Sequence, residues 1–293
     1  QTNKIILTQL TMTALPVAFS RLFSLLSSSL PPSLLSLLPS SFHAASAGAD
    51  FLEPWSLSRC VSETFAVSTL CSPAYLYFSV LTLAALEVTS QLTLLLGSFS
   101  ASFPPQARHH SVLRVVDWSY ISFNKVVLIP SFTLPYLLYS LQLPYSPSRL
   151  LLLPLLFLLY DLPYSQFHRL LHLQSLYPHV HKHHHVQLSP TRGNLDAVNV
   201  HPFEFLVGEW THLFTVWASH ASVGVDKCCA LAFLVVGGAL ASLNHTRFDF
   251  TIEAFGFTVY DPKLHDLHHR VPRRNYGQYT CFWDALAGSY KGW

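Results

Sequence analysis

Two stretches limit what this chain can become more than any short motif does. From Phe65 to Leu96 the only charged residue is Glu87, and from Trp118 to Leu143 it is Lys125. A helix crossing a bilayer needs about 20 residues at about 1.5 Å each, so both runs are long enough to span one. In lipid, a helix satisfies its own backbone hydrogen bonds. Composition points the same way, since 11% of residues are charged and 51% are hydrophobic, against roughly 25% charged in an average soluble domain. A net charge of +2 without a basic tract excludes nucleic acid as a partner. The lipid bilayer is the expected solvent, and a lipid the expected ligand.

The link between these runs contains "RHHSVLR", Arg108 to Arg114, whose positive charge assigns that loop to a cytosol-like side. The short "PYSPSR" loop then lies opposite, and a third apolar run, Leu150 to Phe167, returns the chain to the side of Arg108. Two more helices, about Phe203 to Ser219 and Lys227 to Leu243, form a hairpin around "HASVGVD". The first carries Glu204, Glu209 and His212, so it either spans or dips partly into the bilayer. The expected fold is all-α, a multi-pass membrane helical bundle of four to five spans. Three regions divide it: a serine- and leucine-rich segment at 1–60, membrane helices at 61–160, and a further domain at 161–293. The first region reads as the remnant of a targeting segment or as an interfacial helix broken at Pro31 and Pro32. Cys60, Cys71, Cys228, Cys229 and Cys281 are odd in number and form no CxxC pair, so they read as packing residues.

The third run feeds into "HRLLHLQSLYPHVHKHHH", residues 168–185, with seven histidines. His168 and His172 are four apart, on one helical face. His181, His184 and His185 form HxxHH, and so do His265, His268 and His269. In a helix such a triplet shares a face and can aim its imidazoles at one point. His245 follows the last membrane helix and, if the hairpin makes an even number of crossings, returns to the same side. Gathered imidazoles repel as cations and waste lone pairs as neutrals unless a divalent metal accepts them. An all-nitrogen shell suits iron, zinc, copper or nickel. Nine histidines are enough for two metals with positions left open.

"HRLLH", the HxxHH of "HKHHH", "NHTRFD", and "HDLHH" followed by "NYGQYTCFWDALAGSY" resemble the sterol desaturase and fatty acid hydroxylase superfamily of integral-membrane, histidine-box diiron oxygenases. The likeness runs from about Asp161 to Tyr290, and the tail looks most like the sterol C-5 desaturase-like branch. The resemblance implies a dimetal site of two iron ions, with zinc able to substitute, on one membrane face. It implies hydroxylation or desaturation of a lipid, a sterol or a related one, with O2 and electrons from NAD(P)H through a cytochrome b5-type carrier and its reductase. It implies a multi-pass protein of the endoplasmic reticulum, with a mitochondrial or plastid membrane as the alternative. The ligands it implies are His168, His172, His181, His184, His185, His245, His265, His268 and His269.

His181 is preferred over a set of His179, His183 and His184 because Tyr177 then stands four residues before the box. Asp249 occupies the place of a tenth ligand found in some relatives, and His201 could complete a shell or hydrogen-bond beside it. Asp161 and Asp266 are candidates for fixing imidazole tautomers, while Arg169 reads as a surface or headgroup contact. Asn275, Tyr276, Gly277, Trp283, Asp284 and Gly288 are expected to wrap the metal cap. The competing reading is a non-catalytic metal-binding subunit of a larger membrane complex. A metal transporter would place its histidines inside the spans, not at their ends.

Overall fold

The computed structural model describes residues 72–105, 107, 112–254 and 257–293. The segment 1–60, Cys60, Cys71, the start of the first apolar run and most of "RHHSVLR" lie outside them.

Helix α1 spans Pro73–Ser98. Helices α2 (Val115–Phe123) and α3 (Ile129–Gln142) are joined by a π-turn at Asn124–Leu128. Helix α4 (Leu153–Leu171) follows a 3-10 turn at Pro147–Leu152. After a short α5 (Asn194–Ala197), α6 (Pro202–Val223) and α7 (Lys227–Leu243) make a hairpin. Strands β1 (Ile252–Ala254) and β2 (Phe257–Tyr260) pair antiparallel, and α8 (Pro262–Arg270) and α9 (Phe282–Ala287) close the chain.

Local chemistry sets these limits. Asp117 accepts from the Arg114 amide at 2.6 Å and from its Nε at 3.0 Å, which caps α2. Gly224, at φ 72°, ends α6 in the left-handed conformation. Asp226 then caps α7 by accepting from the Cys229 amide at 3.0 Å. In the π-turn, the Asn124 amide donates to the carbonyls of Val198 and Val200, both at 2.9 Å, and ties α2 to the loop before α6.

Among the described residues, three segments are long and apolar enough to cross a membrane: Tyr75–Leu95, Val115–Ser140 and Pro147–Leu171. Helix α7, at 17 residues, is shorter, and α6 buries Glu204. Of the four to five spans expected, these three meet the length and composition for crossing. Leu76, Val80, Leu81, Val88, Leu92 and Leu95 of α1 face outward, as suits an apolar solvent. The two charges interrupting the first runs lie near each other, with Lys125 Nζ 3.4 Å from Glu87 Oε2.

Inside, Phe132, Tyr136, Leu156, Tyr160, Leu213 and Phe233 form the core shared by α3, α4, α6 and α7. The expectation of an all-α chain needs one correction, the β1–β2 hairpin. Its "TIEAFGFTVY" run is β-branched and aromatic with one glycine, which favours strands over helix. The Tyr260 hydroxyl donates to the Leu240 carbonyl at 2.9 Å and anchors the hairpin to α7.

Candidate metal centre

All nine histidines singled out from the sequence come together, divided into two adjoining groups. His168, His172, His181, His185 and His268 form one, and His184, His245, His265 and His269 form the other. The hairpin of α6 and α7 delivers His245 to His184, with ring centroids 5.2 Å apart.

Each HxxHH triplet is split between the groups, which corrects the expectation that it aims at one point. On a helix, residues i and i+4 differ by about 40° in direction, whereas i+3 lies about 100° from i+4. His265 and His269 therefore serve one group, and His268 turns to the other. His181 and His185 pair in the same way while His184 departs. That segment is not regular α-helix but a π-turn at Tyr177–His181 followed by a 3-10 turn at His184–Val186.

The outward nitrogens show what the inward ones must be. His168 Nδ1 lies 2.9 Å from the Tyr276 carbonyl, His185 Nδ1 3.3 Å from that of His269, His245 Nδ1 2.9 Å from that of Ala241, and His268 Nδ1 2.6 Å from that of Arg274. A carbonyl only accepts, so each of these Nδ1 atoms carries the proton and each Nε2 presents a bare lone pair. Those lone pairs face one another. His181 Nε2 is 3.0 Å from both His168 Nε2 and His185 Nε2. His265 Nε2 is 3.2 Å from His245 Nε2 and 3.1 Å from His269 Nε2. One proton on the central ring of each trio could bridge only one neighbour, so a cation is needed. Nitrogens bound to one metal at about 2.1 Å and at right angles would lie about 3.0 Å apart. The donor set therefore fits two first-row transition metals.

Burial favours the neutral, ligating form of these rings. It holds His184, His185, His265, His268 and His269 well below the ordinary imidazole range, with neighbouring imidazoles adding to the effect. Burial brings His181 to about 3, and burial followed by the His168 and His181 charges brings His172 to about 2.

The other candidates stand elsewhere. Asp161 touches no histidine; its carboxylate accepts from the backbone amides of Gln278 at 2.9 Å, Tyr279 at 3.0 Å and Thr280. It acts on the site through the tail that bears the Tyr276 carbonyl. Asp266 pairs with Arg247 and, at 3.1 Å, with Arg270. Asp249 meets Lys263 at 2.5 Å. His201 caps α6, accepting from the Phe203 amide at 3.2 Å. None of these four belongs to either group. His183 lies 3.0 Å from Asp117 and 2.9 Å from Asn199, and His179 is exposed. Arg169 stays 28% exposed and also packs inward, its guanidinium over the Tyr276 ring at 4.8 Å and 3.6 Å from Asp284.

The tail folds around the histidines as expected. Asn275 takes a left-handed φ of 53°, its amide donating to the carbonyls of Leu264 at 3.1 Å and Lys291 at 2.9 Å. The Gly277 amide donates to Asp284 at 2.8 Å, and a Cβ at Gly277 would stand 2.1 Å from the Thr280 carbonyl oxygen. The sequence reading missed Glu204, whose Oε1 lies 2.8 Å from His181 Nδ1. The signal available was an acid in the first turn of an apolar helix. Beside the histidines, a largely apolar cavity of about 520 Å³ lies among α1, α3, α4, α6 and α7, with His184 and His245 in its wall.

The sequence profile of the fatty acid hydroxylase family matches residues 153–289, which takes in every histidine of both groups. That match, over a little under half of the chain, and the relatives found support the sterol desaturase and fatty acid hydroxylase superfamily. Among superfamily members, a Delta(7)-sterol 5(6)-desaturase of Leptosphaeria maculans is 30% identical over 132 residues, covering 45% of this chain and 34% of that protein. Another from Gibberella zeae is 27% identical over 190 residues, 58% of this chain and 54% of that one. A very-long-chain aldehyde decarbonylase of Oryza sativa subsp. indica is 26% identical over 133 residues, 42% of this chain and 21% of that one. The chain thus spans from about a fifth to about half of the length of these relatives. No solved structure matches.

Proposed function

We propose that this chain is a membrane lipid oxygenase that hydroxylates or desaturates a sterol or a related lipid. The observation that carries the reading is the cavity: its wall joins apolar side chains of five helices to His184 and His245, so a lipid held there presents a C–H bond to the histidine groups. A volume of about 520 Å³ falls in the range of small-molecule sites, about 300–1,000 Å³.

His168, His172, His181, His185 and His268 would hold one iron, and His184, His245, His265 and His269 the other. Iron so held supplies activation of dioxygen. The protein's own residues orient and shield. The carbonyls of Tyr276, Arg274, Ala241 and His269 hold the outer protons of four imidazoles and fix their rotation. Glu204 faces a fifth, His181, and the apolar wall excludes water. Each C–H oxidised to C–OH consumes one dioxygen, two electrons and two protons and releases one water. A reductant is therefore required, and we assign it to NAD(P)H acting through a cytochrome b5-type carrier and its reductase at the endoplasmic reticulum.

The test is expression in a lipid-producing host under air, with lipid profiling and metal analysis of the purified chain. We expect a new hydroxylated or desaturated lipid and two irons per chain, with product lost in His184→Ala. A profile identical with and without the protein would overturn the reading.

A further inference from the structure

Helix α6 has two distinct faces. Leu206, Val207, Trp210, Thr211 and Phe214 line an outer groove, while Phe205, Gly208, Glu209 and His212 turn toward the cavity. Other polar groups near α6 make contacts within the protein, although Glu204 Oε2 and His212 Nδ1 are buried without a hydrogen-bond partner. The Tyr160 hydroxyl donates to the Gly208 carbonyl at 3.1 Å, His212 Nε2 is 2.7 Å from the Tyr279 hydroxyl, and Glu204 faces His181. Two further groups line the cavity, and among the described residues neither the Glu209 carboxyl nor the Tyr164 hydroxyl has a hydrogen-bond or ion-pair partner. Tyr164 packs beside Gly208 of α6, where a Cβ would stand 3.7 Å from Tyr164 Cε2, an ordinary contact.

A carboxyl facing an apolar cavity without a partner is costly, and an acid in such a setting calls for a ligand. Its place along the helix says which end of a ligand it would meet. At about 1.5 Å per residue, Glu209 lies about 7.5 Å further along α6 than Glu204, which touches His181. The cavity therefore has a reactive region at His184 and His245 and a polar point removed from it.

We propose that Glu209 and Tyr164 bind the hydroxyl group of the lipid substrate, the hydroxyl donating to the Glu209 carboxylate and accepting from the Tyr164 phenol. The carbon to be oxidised then lies toward His184 and His245, at another part of the same cavity wall. This rests on the lipid-oxidising reading above and narrows it to amphiphiles whose polar group is distant from the carbon attacked. A lipid reacting at its own polar terminus, such as a long-chain aldehyde, would instead bring an apolar tail to Glu209.

The test is equilibrium binding to the purified full chain in lipid nanodiscs, loaded with iron. The probes are two matched pairs, cholestanol with cholestane and octadecanol with octadecane, each differing by one hydroxyl. The hydroxylated member of at least one pair should bind about tenfold more tightly. Glu209→Leu should bring the two members within about twofold, and Glu209→Gln, which keeps an acceptor, should retain most of the preference. Should Glu209→Leu fail to fold, Tyr164→Phe removes a single oxygen and should reduce the preference about threefold. Equal binding within both pairs by the wild type, or an undiminished preference in Glu209→Leu or Tyr164→Phe, would overturn the proposal. Binding is read without turnover, so the two readings fail separately. A hydroxyl preference in a chain that makes no oxidised lipid sinks the oxygenase and leaves the anchor standing, whereas an oxidised product without the preference does the reverse.

Discussion

Replacing Asp161 with alanine tests how the tail is held against the histidines. The Asp161 side chain is fully buried, at 0% exposure, and its two oxygens accept from three consecutive backbone amides, those of Gln278, Tyr279 and Thr280. Asp161→Ala leaves three amide donors without a partner, that of Tyr279 buried and those of Gln278 and Thr280 partly so. At about 1–3 kcal/mol for each unsatisfied donor, reduced because they shared one carboxylate, the loss is about 3–5 kcal/mol. For a chain of this size, about 2–4 °C per kcal/mol translates that into a fall in unfolding temperature of about 10 °C. The Tyr276 carbonyl that orients His168 rides on the same tail, so metal content should fall as well. Asp161→Asn keeps one accepting oxygen and should show about half the thermal effect. The assay is thermal unfolding of the purified protein in nanodiscs, with metal analysis of the same samples. Metal loss at an unchanged unfolding temperature would mean that Asp161 acts on the histidines directly and would refute the reasoning.

Four further outcomes follow from the geometry. Glu204→Gln should weaken metal binding at the five-histidine group about 10- to 100-fold, measured by chelator competition, because a neutral amide holds His181 less firmly. His184→Ala should lower metal content from two equivalents to one, because it takes a donor only from the four-histidine group. Gly277→Ala should destabilise the fold and shorten its half-life at elevated temperature, since its Cβ would meet the Thr280 carbonyl oxygen at 2.1 Å. Chelator-stripped protein should lose stability as pH falls. The unfolded imidazoles protonate near 6.5, whereas His181 in the folded chain does so only at about 3. Between these values the unfolded state holds more protons, so the unfolding temperature should drop as pH moves from 7 toward 4.

The positions of the histidines were legible because i, i+3 and i+4 spacing is a property of the sequence itself. Their division into five and four was not. It depends on which turn type follows Tyr177, and on a difference of about 100° between neighbouring members of a triplet, which a reading of "one face" erases. Asp161 was visible as an acid two turns before His168, but sequence spacing cannot show that a loop 117 residues later brings its amides to that carboxylate. Glu204 escaped for a related reason, since its partner His181 lies on a different element. The helices were read well where apolar runs are long. Lys227–Leu243 emerged with the boundaries expected, while the β1–β2 hairpin, only a few residues per strand, fell below what periodicity resolves.

The outer protons of His168, His185, His245 and His268 are all received by backbone carbonyls. Every residue type brings that oxygen with it, so no point substitution at Ala241 or Arg274 can delete the acceptor; it can only move it. The site is thereby insured against drift in side-chain identity at these positions and exposed instead to changes in chain path, such as insertions, deletions or a proline nearby. In a saturation library, the tolerated changes around the histidines should therefore be many in kind and few in length.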